Sequence, residues 1–375
     1  MKYMKTMMAS ALISSLSSVG IAGEIKVGIN LALSGNLASY GKATLDGIKL
    51  KADEINAAGG IGGNKIILIV EDNKGDQTET KNAYKKLAGS DKVVTVIGPI
   101  TSTNAIAVRR DAAELKVPVI SPTATNDKVT LRNPYMFRTC FNDSFQGRIA
   151  ANFAIKEKGY KTAAIMVDMN SDYSKGLSES FKKAFESAGG KIITQEGYQQ
   201  KDTEFGAQLK KIKESAAQTV FVPGYPPEVP LIIKQAKVIG LDARLCGADG
   251  WDNEAVINGS GNNIEGCFIV GAFSREDKRD AVRNFVASFE KTFNDKPGTF
   301  EALGYDSLSI LAEALKKGTT PEAVKDGLHA IKDFEAVTGK TTLTPDGDVE
   351  KNAVILEITR EGDKYIAKYK ATVNP

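Results

Sequence analysis

Histidine is almost missing from this chain: His329 is the only one in 375 residues. That scarcity excludes zinc sites built on several imidazoles and leaves one imidazole base. The three cysteines, Cys140, Cys246 and Cys267, stand too far apart for a disulfide scaffold or a CxxC pair. An excess of charge is lacking as well, since 49 Lys+Arg face 46 Asp+Glu for a formal charge of +3. A nucleic-acid partner calls for clustered surplus Lys and Arg, so none is expected. No GxxxxGK[ST] and no GxSxG occurs. The cluster Gly59-Gly60-Ile61-Gly62-Gly63 follows a helical pattern and precedes a strand, the reverse of a dinucleotide fingerprint. With no nucleophile–base pair and no ligand cluster in view, no cofactor, metal or catalytic residue is expected.

The composition that remains is ordinary for a globular protein, with 42% hydrophobic and 25% charged residues. At this length a prior of two domains applies. The start differs from the rest. Lys2 and Lys5 precede an apolar stretch, Met7 to Ile21, which carries interspersed serines and ends in Gly20-Ile21-Ala22-Gly23. The stretch is shorter than the roughly 20 residues that span a bilayer. It reads as a secretory signal peptide over residues 1–22, cleaved near Ala22 or Gly23. No later segment is apolar for long enough to cross a membrane. The protein is therefore expected to be exported, periplasmic and soluble, with 47 basic residues against 46 acidic after cleavage. In an oxidising compartment Cys246 and Cys267, in two strands of one region, are either a disulfide or two buried thiols.

From Glu24 onward strands and helices alternate. Glu24–Leu31, Lys65–Glu71, Val93–Ile97 and Val117–Ser121 read as strands, separated by helical periodicity over Tyr40–Ala57, Gln77–Ser90 and Thr103–Leu115. The series restarts with a helix at Gln146–Lys158. Strands follow at Thr162–Asp168, Lys191–Tyr198, Thr219–Pro223, Arg244–Gly247 and Cys267–Ala272. Helices are expected over Asp280–Phe293, Thr299–Lys317 and Pro321–Ile331, and strands over Lys340–Leu343 and Val354–Thr359. Apolar strands joined by helices imply parallel sheets covered on both faces. The expected fold is α/β: two doubly wound, Rossmann-like lobes joined by three crossovers, with a ligand cleft between them. Lobe 1 comprises residues 23–142 and 273–343; lobe 2 comprises 143–272 and 344–375.

In open parallel sheets ligands bind beyond the carboxyl ends of the strands. Two such ends, Gly98-Pro99-Ile100-Thr101-Ser102-Thr103 and Ser121-Pro122-Thr123-Ala124-Thr125, are rich in hydroxyls, uncharged and placed at helix starts. Either alone reads as an N-cap. Two on consecutive strands read as a cradle of N–H and O–H donors for a carboxylate. The second series ends its strands in Asp168-Met169-Asn170-Ser171-Asp172-Tyr173, Pro223-Gly224-Tyr225-Pro226-Pro227 and Cys246-Gly247-Ala248-Asp249-Gly250-Trp251. Asp249 has no basic neighbour and is either a turn residue or a partner for a ligand cation. Tyr40, Tyr173 and Tyr225 offer flat apolar walls with polar tips. A carboxylate cradle facing an acid matches a zwitterion, so a free α-amino acid is the natural ligand. His329 reads as a surface residue of a charged helix, and Lys81, Lys85 and Lys86 as a solvated face.

Several segments resemble a known family. They are Gly28-Ile29-Asn30-Leu31-Ala32-Leu33-Ser34-Gly35 with Tyr40-Gly41, and Asp53-Glu54-Ile55-Asn56-Ala57-Ala58-Gly59-Gly60-Ile61. Val96-Ile97-Gly98-Pro99, the run from Val119 to Asn126, Phe137-Arg138-Thr139, Asp172-Tyr173-Ser174-Lys175-Gly176 and Gly304-Tyr305-Asp306 complete the set. With these the chain resembles, from about Glu24 nearly to its end, the type I periplasmic solute-binding proteins that take leucine, isoleucine and valine to ABC importers. The resemblance implies an inner-membrane ABC permease as partner and a binding protein with no enzymatic activity; a monomer is the default expectation. By position it implies that Ser102 and Thr125 hold the ligand carboxylate, within the loop Thr123-Ala124-Thr125. It assigns the Thr123 carbonyl to the ammonium and Asp249, where branched-chain members tend to carry Glu, to the same group. Tyr225 stands beside that acid, and Tyr40 and Tyr173 wall the side-chain pocket. A branched-chain or other apolar L-amino acid is the expected ligand. The alternatives are a polar amino acid, an amide or urea, a periplasmic sensory role, or a secreted enzyme on the same fold.

Overall fold

Residues 23–375 are described by the computed structural model. The expected signal peptide lies outside them. Along the first part of the chain come β1 (Glu24–Leu31), α1 (Ala38–Ala57), β2 (Lys65–Asp72), α2 (Gln77–Lys85), β3 (Thr95–Ile97), α3 (Ser102–Leu115), β4 (Val119–Ser121) and β5 (Met136–Arg138). Their strands form one sheet, parallel throughout, in the order β2-β1-β3-β4-β5. The sequence EIKVGINL explains where β1 sits. Its first residues alternate exposed and buried, and from Val27 every residue is buried, since β2 and β3 flank it and helices cover both faces. The helix α2 starts where Asp76 accepts the N–H groups of Thr78 and Glu79 at 2.7 and 3.0 Å. It was expected to reach Ser90, but the α-helix ends at Lys85 and a wider π turn, Lys86–Ser90, seats Leu87 and Ala88 in the core.

Next come α4 (Asp143–Lys156), β6 (Thr162–Asp168), α5 (Asp172–Ser187), β7 (Lys191–Tyr198), α6 (Gly206–Glu214), β8 (Thr219–Phe221), α7 (Glu228–Val238), β9 (Arg244–Cys246), α8 (Glu254–Ser260) and β10 (Phe268–Gly271). The remainder adds α9 (Asp280–Phe293), α10 (Thr299–Leu315), α11 (Pro321–His329), β11 (Phe334–Ala336), β12 (Gly339–Leu343), β13 (Val349–Glu350), β14 (Ala353–Glu361) and β15 (Lys364–Val373). The second sheet runs β15-β14-β10-β9-β8-β6-β7. Its middle is parallel, and the β14–β15 hairpin joins β10 antiparallel. The small sheet β11-β12-β13 completes the structure. The molecule is thus a two-lobed α/β protein with a parallel-stranded sheet at the heart of each lobe.

The late helices return to the first sheet. Leu308 and Leu311 of α10 and Val324 and Leu328 of α11 share one core with Val27, Ile29, Leu45 and Ile48. The contact of α1 with α10 is so close that only glycine fits. A Cβ on Gly304 would lie 2.1 Å from the Thr44 carbonyl oxygen, and one on Gly47 would lie 1.9 Å from that of Glu301. Backbone cannot step aside as a side chain can. Gly304→Val should therefore destabilise the fold by about 3 kcal/mol or more, read as a lowered midpoint in urea. A midpoint within error of wild type would show that the helices can part freely.

Three expectations need correcting. Cys140, Cys246 and Cys267 are all free and buried, so the disulfide reading fails for Cys246 and Cys267. Cys246 pairs in register with Phe268, which turns the neighbouring Cys267 to the opposite face of the sheet. The two thiols lie in different cores, and burial pushes both up to about 12. His329 is half-buried with its ring 4.8 Å from that of Phe137, not a surface residue. Four elements, α8, β11, β13 and β15, were not foreseen: α8 has seven residues, β11 and β13 have three and two, and KYIAKYKATV is a lysine-rich edge strand of which Tyr365, Ala367 and Val373 pack only partly buried against the cores.

Candidate functional site

The hydroxyl-rich ends of β3 and β4 meet as one nest. Ser102 opens α3 fully buried, and its Oγ accepts the Asn126 N–H at 3.1 Å, which leaves its own proton free to donate. The Thr123 hydroxyl donates to the Ile100 carbonyl at 2.6 Å, and the Ala124 N–H donates to Ser121 Oγ at 3.1 Å. The buried Arg138 guanidinium takes the carbonyls of Ala124 and Asn126 at 3.1 and 3.0 Å, with its Nε 3.1 Å from Asp348 Oδ1. Those two carbonyls are thereby turned toward Arg138. The Thr125 hydroxyl is buried without a hydrogen-bond partner among the described residues. Such a loop is a donor-lined recess suited to a carboxylate.

A second cluster forms at the ends of the other sheet. Ser171 caps α5 by accepting the Ser174 N–H at 3.2 Å, which fixes the first turn and with it Tyr173. The Tyr173 hydroxyl donates to Asp249 Oδ1 at 2.8 Å and accepts the Gly250 N–H at 3.2 Å. The fully buried Trp251 anchors the loop from beneath through its Nε1–H on the Val222 carbonyl at 2.8 Å. The Tyr225 ring stacks on that of Tyr173 at 4.8 Å and meets Tyr40 edge-on at 5.9 Å. Burial pushes the Asp249 carboxyl up to about 6, against the hydrogen bonds from Tyr173 and Gln146. Burial and then the charge of Asp249 hold the hydroxyls of Tyr40, Tyr173 and Tyr225 well above their usual range.

The two clusters face each other across the lobes and touch directly. Tyr40 donates to the Gly250 carbonyl at 2.5 Å. Asn126 Nδ2 donates to the Asp172 carbonyl at 2.8 Å, and the Asp172 N–H donates to Thr103 Oγ1 at 2.9 Å. The start of α4 links both sides, with the Asp143 N–H on the Thr125 carbonyl at 2.8 Å and Gln146 Oε1 accepting the Asp249 N–H at 2.8 Å. Tyr40, Tyr173, Tyr225 and Asp249 thus stand in one group, and Ser102, Thr123, Ala124 and Thr125 in the other. Residues that went unnoticed in the sequence are Phe300, whose ring stacks on Tyr40 at 4.3 Å, and Asp143 and Gln146. Phe300 is the second residue of the largely apolar helix α10, and no local pattern marks it. Asp143 and Gln146 follow the Asn142 cap and look like ordinary helix-start residues.

Comparison with known proteins agrees with this fold. A family model described as periplasmic binding protein matches residues 24–363. The leucine-, isoleucine-, valine-, threonine- and alanine-binding protein of Pseudomonas aeruginosa is 29% identical over 348 residues, 91% of this chain and 92% of that protein. The crystal structure of the branched-chain amino acid transporter substrate-binding protein LivJ of Streptococcus pneumoniae, in complex with isoleucine, is 35% identical. It superposes with a TM-score of 0.87 over 94% of this chain and 100% of its own. A solute-binding protein of an ABC transporter from Rhodopseudomonas palustris, in complex with 3,4-dihydroxybenzoic acid, is 25% identical with a TM-score of 0.84, covering 94% and 97% of the two chains. This chain belongs to the periplasmic binding protein family, in its branched-chain amino-acid branch of ABC-importer solute-binding proteins.

Proposed function

We propose that this protein is the exported substrate-binding component of an ABC amino-acid importer. It captures a free L-amino acid with a branched-chain or other apolar side chain and delivers it to an inner-membrane permease. The observation that carries the reading is the pairing of a donor-lined recess, Ser102 to Thr125, with the buried acid Asp249 on the other lobe. The carboxylate of a zwitterion fits the first and its ammonium fits the second. The rings of Tyr40, Tyr225 and Phe300 leave an aromatic wall for an uncharged side chain.

Capture by closure follows from where these groups sit. A ligand shifts an open–closed equilibrium only through contacts it gains in the closed form. Ser102 and Thr125 belong to one lobe and Asp249 to the other, so bridging them rewards closure. We assign residues 23–142 and 273–343 to lobe 1 and residues 143–272 and 344–375 to lobe 2, with the crossovers between them as the hinge. The protein acts as a monomer, without cofactor or catalysis.

A second reading has one observation in its favour. The relative that holds 3,4-dihydroxybenzoic acid and the aromatic walls here fit an aromatic acid without an ammonium. A thermal-shift screen of the twenty amino acids beside benzoate separates the two, because saturating ligand raises the melting temperature. Apolar L-amino acids should raise it and benzoate should not; the opposite pattern would favour the aromatic acid. Ser102→Ala should weaken the best amino acid only about three- to tenfold, since the backbone N–H groups of the recess remain. Loss of all binding in that variant would show that the hydroxyl, not the backbone, carries the carboxylate.

A further inference from the structure

We infer that Asn126 and Gly176 form a clasp between the lobes, one that touches no ligand and sets the affinity for every ligand by the same factor. The inference rests on capture by closure, not on which ligand is captured. Gly176 lies within the helix α5, and its φ is not positive. No turn or left-handed backbone calls for glycine there, and inside a helix alanine is the more stable residue. What calls for glycine is a neighbour. A Cβ at this position would lie 2.3 Å from Asn126 Nδ2. The helix α5 packs through Leu177 and Phe181 into the core of the second sheet, whereas Asn126 follows β4 of the first. The close approach is therefore one between lobes. The next atom such a Cβ would meet, Asp143 Oδ2 at 3.3 Å, lies on α4 of the same lobe as Gly176 and is met whether the lobes are open or closed.

Asn126 cannot step aside without losing bonds. It is buried, and each of its polar groups is engaged. Its Nδ2 donates to the Asp172 carbonyl at 2.8 Å, and its Oδ1 accepts the Lys128 N–H at 3.0 Å. Its own N–H donates to Ser102 Oγ at 3.1 Å, and its carbonyl accepts from Arg138 at 3.0 Å. The side chain is thus fixed in its own lobe and reaches over the bare Cα of Gly176 to the first turn of α5. The Asp172 N–H on Thr103 Oγ1, at 2.9 Å, ties the same turn to the start of α3. A contact made only in the closed form changes the closed population, and the apparent affinity changes with it by one factor whatever is trapped. A side chain that touches the ligand discriminates between ligands instead.

A double-mutant cycle on the whole protein tests this, read by calorimetry with L-leucine and L-valine and by thermal melts without ligand. Gly176→Ala should weaken both amino acids at least about tenfold and by the same factor. Asn126→Ser keeps a hydroxyl to cap the Lys128 N–H and removes the amide, so it should weaken both as well. With the amide gone the added methyl has room, and Gly176→Ala on top of Asn126→Ser should cost less than about twofold. The ligand-free melting temperature of Gly176→Ala should equal or exceed that of wild type, because the open lobes do not meet there and alanine favours the helix. A glycine needed only for the folding of its lobe would lower that temperature and lose nothing in the cycle. The inference is overturned by an unchanged affinity in Gly176→Ala, by an equal loss in both backgrounds, by a lowered ligand-free melting temperature, or by a loss several times larger for one amino acid than for the other. A wild-type protein that binds no L-amino acid would instead overturn the amino-acid reading. The same cycle is then run with benzoate, and the two failures are therefore distinct.

Discussion

Asp249→Ala should lower amino-acid affinity on the order of a hundredfold, about 2.7 kcal/mol. The size follows from burial. Asp249 is shielded from solvent, held by the Tyr173 hydroxyl at 2.8 Å and by Gln146 through its own N–H. An ammonium placed against it and then stripped of that partner stays buried with one charge fewer to answer it, and truncation of one member of such a pair is expensive. The loss should appear in the dissociation rate, because the contact forms only as the lobes meet. Calorimetry with the best amino acid of the thermal screen reads it directly, and an affinity within a factor of two of wild type would remove Asp249 from the site. The same carboxyl sets an acid limit. Burial raises it to about 6 in the folded protein. Below that pH it carries a proton and offers no charge, so affinity should fall as the pH drops through about 6. For the empty protein the sign is opposite. An acid raised on folding opposes the native state once the unfolded chain ionises, so this group's penalty is absent at low pH and grows from the ordinary carboxylate range up to about 6.

Arg138→Met should both destabilise the fold, by about 3 kcal/mol, and abolish measurable ligand binding. Arg138 is fully buried, and the groups it holds come from three places in the chain: Ala124 and Asn126 in the nest, Thr130 beyond it, and Asp348 just before β13. Methionine fills much of the volume but supplies no donor. Two nest carbonyls and the Asp348 carboxyl would be left to find water or turn away, and a nest whose carbonyls turn inward no longer offers its N–H groups to a carboxylate. Urea denaturation gives the stability and calorimetry the affinity. A variant with lowered stability but normal affinity would show that the recess holds its shape without the guanidinium.

Most of the secondary structure could be read along the chain, because it depends on what each residue does with its near neighbours. The strand KIILIVE and the end of the first helix before Gly59-Gly60 are local signals, and the structure honours them. Where boundaries moved, the reason was packing, as at Leu87, which the core claims through a π turn. The recess and the acid were legible in the same way, since hydroxyls and a lone aspartate at strand ends stand out in the amino-acid order. Phe300 was not legible: 260 positions separate it from Tyr40, and it lies in an apolar helix where any ring looks like core.

What the amino-acid order determined by itself was therefore the alternation of elements, the polar chemistry at the ends of strands, and the likeness to one family. The tertiary structure alone decided that α10 lies on α1 at glycine distance, that β14 enters the second sheet antiparallel, and that Cys246 and Cys267 face opposite sides of it. It alone buried Asp143 and Asp249 together with the chain around them. The reason is physical. Periodicity and capping are settled within a few residues, whereas burial and the pairing of a charge depend on every segment that arrives around it, and those segments come from distant parts of the chain.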